Sequence, residues 1–231
     1  MRNHKALYFF SSFNSHCKFS PELISNLQSQ VTNRERLVYI CTDPEAHEST
    51  DNFEKLMTDY FRKMDIEFSE IHVLDSRKPA NECTKLINSA SVVFLMGGRT
   101  LLQYQFIIKN NLAESLKNHT GIIMGVSAGA INMAELSLLA PTESSGSVPV
   151  MYKGVSLADI PAIMYNGIGL ADITTTPHFD PEDKNLIDNI LLPFSHKTDI
   201  YAMEDDSAIL IYDGKKQLFG NIHLISKYAH E

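Results

Sequence analysis

The stretch "GIIMGVSAGAINM" (residues 121–133) decides how the rest of the chain reads. Its first half is a short apolar run of the kind that makes a buried strand, and its second half continues in small and apolar residues that suit a helix. Between them stands Ser127, inside Gly125-Val126-Ser127-Ala128-Gly129, a fit to G-x-S-x-G. A strand that turns sharply into a helix is the repeating unit of a parallel α/β sheet. A serine at that turn is the arrangement of a nucleophile elbow. The requirement is steric: the serine backbone is strained there, and its neighbours must be small for strand, helix and substrate to approach. Gly125, Ala128 and Gly129 meet it. A plain tight turn is the competing reading, and the five residues alone leave both open.

The same alternation runs through the flanking sequence. "ALYFF" (6–10), "RLVYIC" (36–41), "FSEIHVL" (68–74) and "SVVFLM" (91–96) read as strands. "PELISNLQSQV" (21–31), with Ser20 as N-cap and Pro21 in the first turn, reads as a helix. "DNFEKLMTDYFRKM" (51–64) carries Phe53, Leu56, Met57, Tyr60, Phe61 and Met64 at helical spacing. A short helix is expected near 80–88, and another from Thr100 toward Lys117, whole or broken. This pattern predicts a three-layer α/β/α sandwich around a mostly parallel sheet, as one domain over residues 1–231. Residues 137–176 lose the helical period and read as loops and short strands. "DPEDKNLIDNILLPF" (180–194) reads as a helix with an acidic first turn. "IYAM", "SAILIY", "QLFG" and "IHLIS" read as closing strands, with Asp213-Gly214 as a hairpin turn.

With 231 residues the chain is long enough to bury a sizeable core, and 44% hydrophobic against 21% charged residues is a globular balance. A net charge of −8 argues against a nucleic-acid binder, which needs a basic face. Cys17, Cys41 and Cys83 are odd in number and lack C-x-x-C spacing, so they read as small buried residues in a reducing cytosol. "ALYFF" is too short for a secretory signal, and no run approaches the roughly 18 apolar residues of a membrane span. The expectation is a cytoplasmic protein, monomer or homodimer, with no cofactor, metal, membrane or nucleic-acid partner.

A serine nucleophile needs a base, and the base needs an orienting acid. Among nine histidines, His178 in "TTTPHFD" (174–180) follows a β-rich run, where catalytic groups of α/β sheets sit. Asp180, Glu182 and Asp183 beside it are better read as a helix N-terminus than as metal ligands. "MEDDSA" (203–208) offers Glu204, Asp205 and Asp206 between two apolar runs, and spacing does not choose among them. Two preorganised donors complete such a site. The Ala128 N–H is one candidate, and an amide of Gly97-Gly98, at the end of a neighbouring strand, is the other.

In order, "FLMGGRTLLQ", "GVSAGAIN", "TTPHFD" and "AMEDDSAILIYDGK" resemble the peptidase E (aspartyl dipeptidase) and cyanophycinase-like serine peptidase family over residues 90–225. The resemblance implies a class I glutamine amidotransferase-like fold and hydrolysis of small peptides through an acyl-enzyme. It implies Ser127 as nucleophile, His178 as general base, Asp205 as the acid, and Gly98 and Ala128 as oxyanion donors. Two positions depart from the family pattern. Arg99 replaces the asparagine after the glycines, and the arginine segment after the histidine is absent. Arg99 is then the candidate contact for a substrate carboxylate, and strict specificity for N-terminal aspartate is left open. Three alternatives stand beside this reading. One is an inactive relative binding a small ligand or partner in the same cleft. A second is an α/β-hydrolase esterase using Asp172 and His223. The third is an amidotransferase-like domain with Ser127 in the cysteine's place.

Overall fold

The computed structural model describes residues 6–13, 18–140, 151–152, 155–156 and 162–226. Strand and helix alternate through its first half. The order is β1 (Leu7–Phe10), α1 (Pro21–Gln30), β2 (Arg36–Ile40), α2 (His47–Lys63), β3 (Glu70–Leu74), α3 (Ala80–Ser89), β4 (Val92–Leu95), α4 (Thr100–Lys109), α5 (Ala113–Asn118), β5 (Ile122–Val126) and α6 (Ala128–Met133). β1 and β4 are buried at every position, and β2 and β5 at all but the first. Strands buried on both faces need helices on both faces, which is why these runs are apolar throughout.

The second half is strand-rich: β6 (Leu136–Leu139), β7 (Met151–Tyr152), β8 (Val155–Ser156), β9 (Ile163–Asn166), β10 (Thr174–Thr176), α7 (Lys184–Leu186), a π-helical turn over Ile187–Leu191, α8 (Leu192–Ser195), β11 (Ile200–Met203), β12 (Ala208–Tyr212), β13 (Lys215–Phe219) and β14 (Ile222–Ile225). Among the described residues the main sheet has seven strands in the order β13-β12-β1-β5-β4-β2-β3. β1, β5, β4, β2 and β3 are parallel, and β12 and β13 join beside β1 antiparallel. A smaller sheet, β10-β11-β14, stands apart on its own apolar cluster of Leu138, Phe179, Leu186, Leu191, Ile200 and Ala202. The architecture is the expected α/β/α sandwich with a mostly parallel sheet.

Local signals held where their chemistry is strong. Ser20 caps α1 by accepting the Leu23 N–H at 3.2 Å, with Pro21 in the first turn. Asp213 and Gly214 both have positive φ (50° and 72°), as a two-residue hairpin turn demands. Two boundaries differ. α2 starts at His47, because its first turn, His47-Glu48-Ser49-Thr50, is polar and shows no hydrophobic period. The helix expected over 180–194 is broken into α7, the π turn and α8. Pro193 cannot donate to the helical ladder and crowds the preceding turn, and the wider π turn sits just before it. The acids ahead stay outside the helix: Asp180 accepts the Glu182 N–H, and Asp183 caps α7 through the Leu186 N–H.

Cys41 and Cys83 are free and buried, and burial raises both thiols. Cys17 and most of 141–161, within the stretch 137–176 expected to hold loops and short strands, lie outside the described residues. No helix among the described residues is long and apolar enough to cross a membrane.

Candidate active site

Ser127 occupies the one-residue junction between β5 and α6 at φ 50° and ψ −110°. A positive φ at a residue with a side chain is strained backbone, held only when the surroundings fix it. The small neighbours show how. A Cβ on Gly125 would stand 2.5 Å from Met133 Sδ and 2.6 Å from the Gly129 carbonyl carbon. One on Gly129 would run into the Leu95 carbonyl of β4. Helix α6 therefore lies hard against β4 and β5 and leaves the serine projecting at the C-terminal edge of the sheet. The Ser127 N–H is tied to the Phe10 carbonyl of β1 at 2.9 Å.

His178 follows the end of β10 and also has positive φ, 54°. Its Nε2 lies 3.0 Å from Ser127 Oγ, and its Nδ1 lies 2.7 Å from Asp205 Oδ1. A carboxylate only accepts, so this geometry places the proton on Nδ1 and leaves Nε2 to accept from the serine hydroxyl. The side chains of His178 and Asp205 are 47% and 62% exposed, so their contact adds little stability and its consequence is orientation.

The three consecutive acids are placed differently. Asp205 meets His178. Glu204 turns the other way, accepting from His223 Nε2 at 2.7 Å and Asn221 Nδ2 at 3.0 Å. The His223 hydrogen bond, followed by that of Asn221, holds the Glu204 carboxyl below its usual range. Asp206 adopts positive φ, 64°, and its N–H donates to Ser12 Oγ at 2.9 Å. His223 is committed to Glu204, and its ring packs at a tilt against Phe179, with centroids 5.2 Å apart. The histidine that meets Ser127 is His178, so the esterase arrangement through Asp172 and His223 is not the one found here.

Gly97 and Gly98 end β4 beside the elbow. A Cβ on Gly97 would lie 3.5 Å from Ser127 Cβ, and Gly98 has φ 136° with Thr42 directly below. Ala128 is the first residue of α6, whose N–H has no acceptor within the helix. Arg99 precedes α4, and its Nη1 is paired with Asp43 at 3.1 Å, in the loop after β2. Thus the C-terminal edge gathers Ser127, His178, Asp205, Gly98, Ala128 and Arg99.

The model of peptidase family S51 matches residues 10–219. The chain belongs to peptidase family S51. Two solved structures share the fold of this S51 member. One is a Listeria monocytogenes EGD-e protein assigned to peptidase E, 17% identical, with TM-score 0.64, covering 93% of this chain and 98% of its own. The other is a peptidase from an acI-B1 actinobacterium, 15% identical, with TM-score 0.69, covering 97% and 92%. The fold is class I glutamine amidotransferase-like. No curated protein matches the sequence significantly.

Sequence reading passed over Ser11 and Ser12. Both are buried, at 0% and 2% exposure, directly after β1. Ser11 Oγ accepts the His178 N–H at 2.7 Å, and its hydroxyl donates to the Met203 carbonyl at 2.9 Å. The signal available was two hydroxyls at the C-terminal end of a strand otherwise wholly apolar.

Proposed function

We propose that this S51 member is a serine peptidase of small peptides, dipeptides among them, acting through Ser127, His178 and Asp205. The observation that carries the reading is the unbroken hydrogen-bond chain from Asp205 through His178 to a serine on a strained elbow. Ser127 Oγ attacks the scissile carbonyl while His178 Nε2 takes its proton. Asp205 holds the imidazole tautomer and stabilises the imidazolium. The N–H groups of Ala128 and Gly98 receive the oxyanion. His178 returns the proton to the leaving amine, and a water, deprotonated by the same nitrogen, releases the acyl-enzyme.

Arg99 is the proposed contact for a substrate carboxylate. Its guanidinium is already neutralised by Asp43, so an acidic substrate must compete for it. An N-terminal aspartate is therefore not a requirement of the proposed activity, and dipeptides with neutral first residues belong in the substrate set.

The test is labelling by a fluorophosphonate probe, read by intact mass, beside hydrolysis of a dipeptide panel. One adduct on the wild type, none on Ser127→Ala, and turnover lost by about 10⁶-fold in the variant is the expected result for a serine triad. An unlabelled wild type with no turnover overturns the reading in favour of a cleft that binds without catalysis.

A further inference from the structure

We propose that Ser11 and Ser12, at the end of β1, are positioning residues that lock the base and acid loops onto the nucleophile's strand; the inference rests on the triad reading above. Three consecutive residues reach all three loops. The Phe10 carbonyl accepts the Ser127 N–H at 2.9 Å. Ser11 Oγ accepts the His178 N–H at 2.7 Å and donates to the Met203 carbonyl at 2.9 Å, two residues before Asp205. Ser12 Oγ accepts the Asp206 N–H at 2.9 Å. The Ser11 N–H closes the frame on the Ser207 carbonyl at 3.1 Å.

The bonds fall where the backbone most needs them. His178 and Asp206 both hold positive φ, and each donates its own N–H to one of the two serines. A positive φ at these residues is kept only when neighbouring structure enforces it. The exposed rings and carboxylates of His178 and Asp205 receive little packing from their own loops. The buried hydroxyls therefore set the ring direction from beneath. Ser11 bridges His178 to β11, and β10 and β11 are neighbours in the smaller sheet. Ser11 thus fastens the smaller sheet to the main one at the point where the reaction runs, and Ser12 holds the turn that carries the acid.

The test compares wild type, Ser11→Ala, Ser12→Ala and Ser91→Ala. Ser91 is the control. Its hydroxyl makes the same kind of bridge, donating to Asn33 at 2.7 Å and accepting the Arg36 N–H at 3.2 Å, but at the opposite edge of the sheet. The readouts are the fluorophosphonate labelling rate, the thermal midpoint and the ¹⁵N shifts of the His178 ring. Ser11→Ala is expected to label about 100-fold more slowly, the scale of a 1 Å misplacement. Its ring should lose the single Nδ1-protonated tautomer of the wild type. Ser12→Ala should show a smaller loss of the same kind, and it decides the matter if Ser11→Ala does not fold. Ser91→Ala should lose thermal midpoint without losing rate. Labelling of the folded serine variants at the wild-type rate with an unchanged tautomer overturns the proposal. So does a Ser91→Ala variant slowed as much as Ser11→Ala. If the wild type itself does not label, the peptidase reading fails, while the tautomer contrast still decides whether the serines position His178.

Discussion

The two ends of the parallel strands are built from similar parts and do different things. At the C-terminal edge lie Ser11, Ser12, Gly97, Gly98 and Ser127, with Asp205–Ser207 brought in ahead of β12. At the N-terminal edge lie Asn33, Arg36, Glu70, Ser91 and Gly121. Both edges have buried hydroxyls that bridge segments, and each has a glycine, Gly98 or Gly121, with no room for a Cβ. At the N-terminal edge the bonds stay local to the sheet: Ser91 bridges Asn33 and Arg36, and Arg36 pairs with Glu70 on the adjacent strand. At the C-terminal edge they join loops from far apart in the chain, with Ser11 and Ser12 bonded to residues 167 to 194 positions away. One edge joins distant loops around the strained Ser127 and directs side chains outward, while the other ties neighbouring segments of the sheet together. In parallel sheets the C-terminal edge is also where βα turns and helix N-termini gather donors, which is the general reason sites form there.

Substitutions can break or sharpen that contrast. After Ser127→Ala, the largest effect is expected from Asp205→Asn, which keeps the shape but supports the wrong tautomer of His178. Turnover should fall by about 10⁴-fold with the fold intact by circular dichroism. If Glu204→Gln fell as far and Asp205→Asn did not, the acids would be assigned the wrong way round. Gly98→Ala comes next. Its Cβ would stand 2.6 Å from Thr42 Oγ1 at a φ of 136°, so the amide must move. Loss of the oxyanion donor proposed at Gly98 is expected to lower kcat by about 10²–10³-fold. The same change at the other edge, Gly121→Ala, sets a Cβ 2.6 Å from the Ser91 carbonyl. It should cost about 1–3 kcal/mol in denaturant unfolding and leave kcat unchanged, because only packing is touched.

The smallest effect concerns Glu204, whose carboxyl is held low by His223 and then Asn221. A depressed carboxyl stabilises the fold above its unfolded value of about 4.3, and the contribution disappears as pH falls through the lower folded value. Wild type should therefore exceed Glu204→Gln by at most about 1 kcal/mol near neutrality. The two should converge in strong acid, as thermal midpoints across pH would show. Turnover near neutrality should not distinguish them.

Much of this site could be read from the chain, for identifiable reasons. Ser127 and its small neighbours form a local motif, because the turn that exposes the serine is made by adjacent residues. The β4 glycines were legible for the same reason. His178 was visible as the first polar side chain after a β-rich run. The acid was not legible from spacing. Glu204, Asp205 and Asp206 are chemically alike, and only the turn, with Asp206 at φ 64°, aims Asp205 at His178 and Glu204 at His223. Arg99 was found, but its pairing with Asp43, 56 residues away, was not. The break before Pro193 was hidden because an apolar period survives a π turn while the hydrogen bonding changes.

By itself the sequence determined the alternation of strands and helices, the sandwich they build, and the serine at its sharpest turn. Those depend on hydrophobic period, capping and local sterics, which act over a few residues. Tertiary structure decided that Glu204 turns to His223, that Arg99 pairs with Asp43, and that Ser11 lies under a histidine 167 residues away. The smaller sheet β10-β11-β14 also emerged only there. Such contacts form when buried backbone donors must find acceptors across the closed core, and no local pattern encodes the acceptor they find.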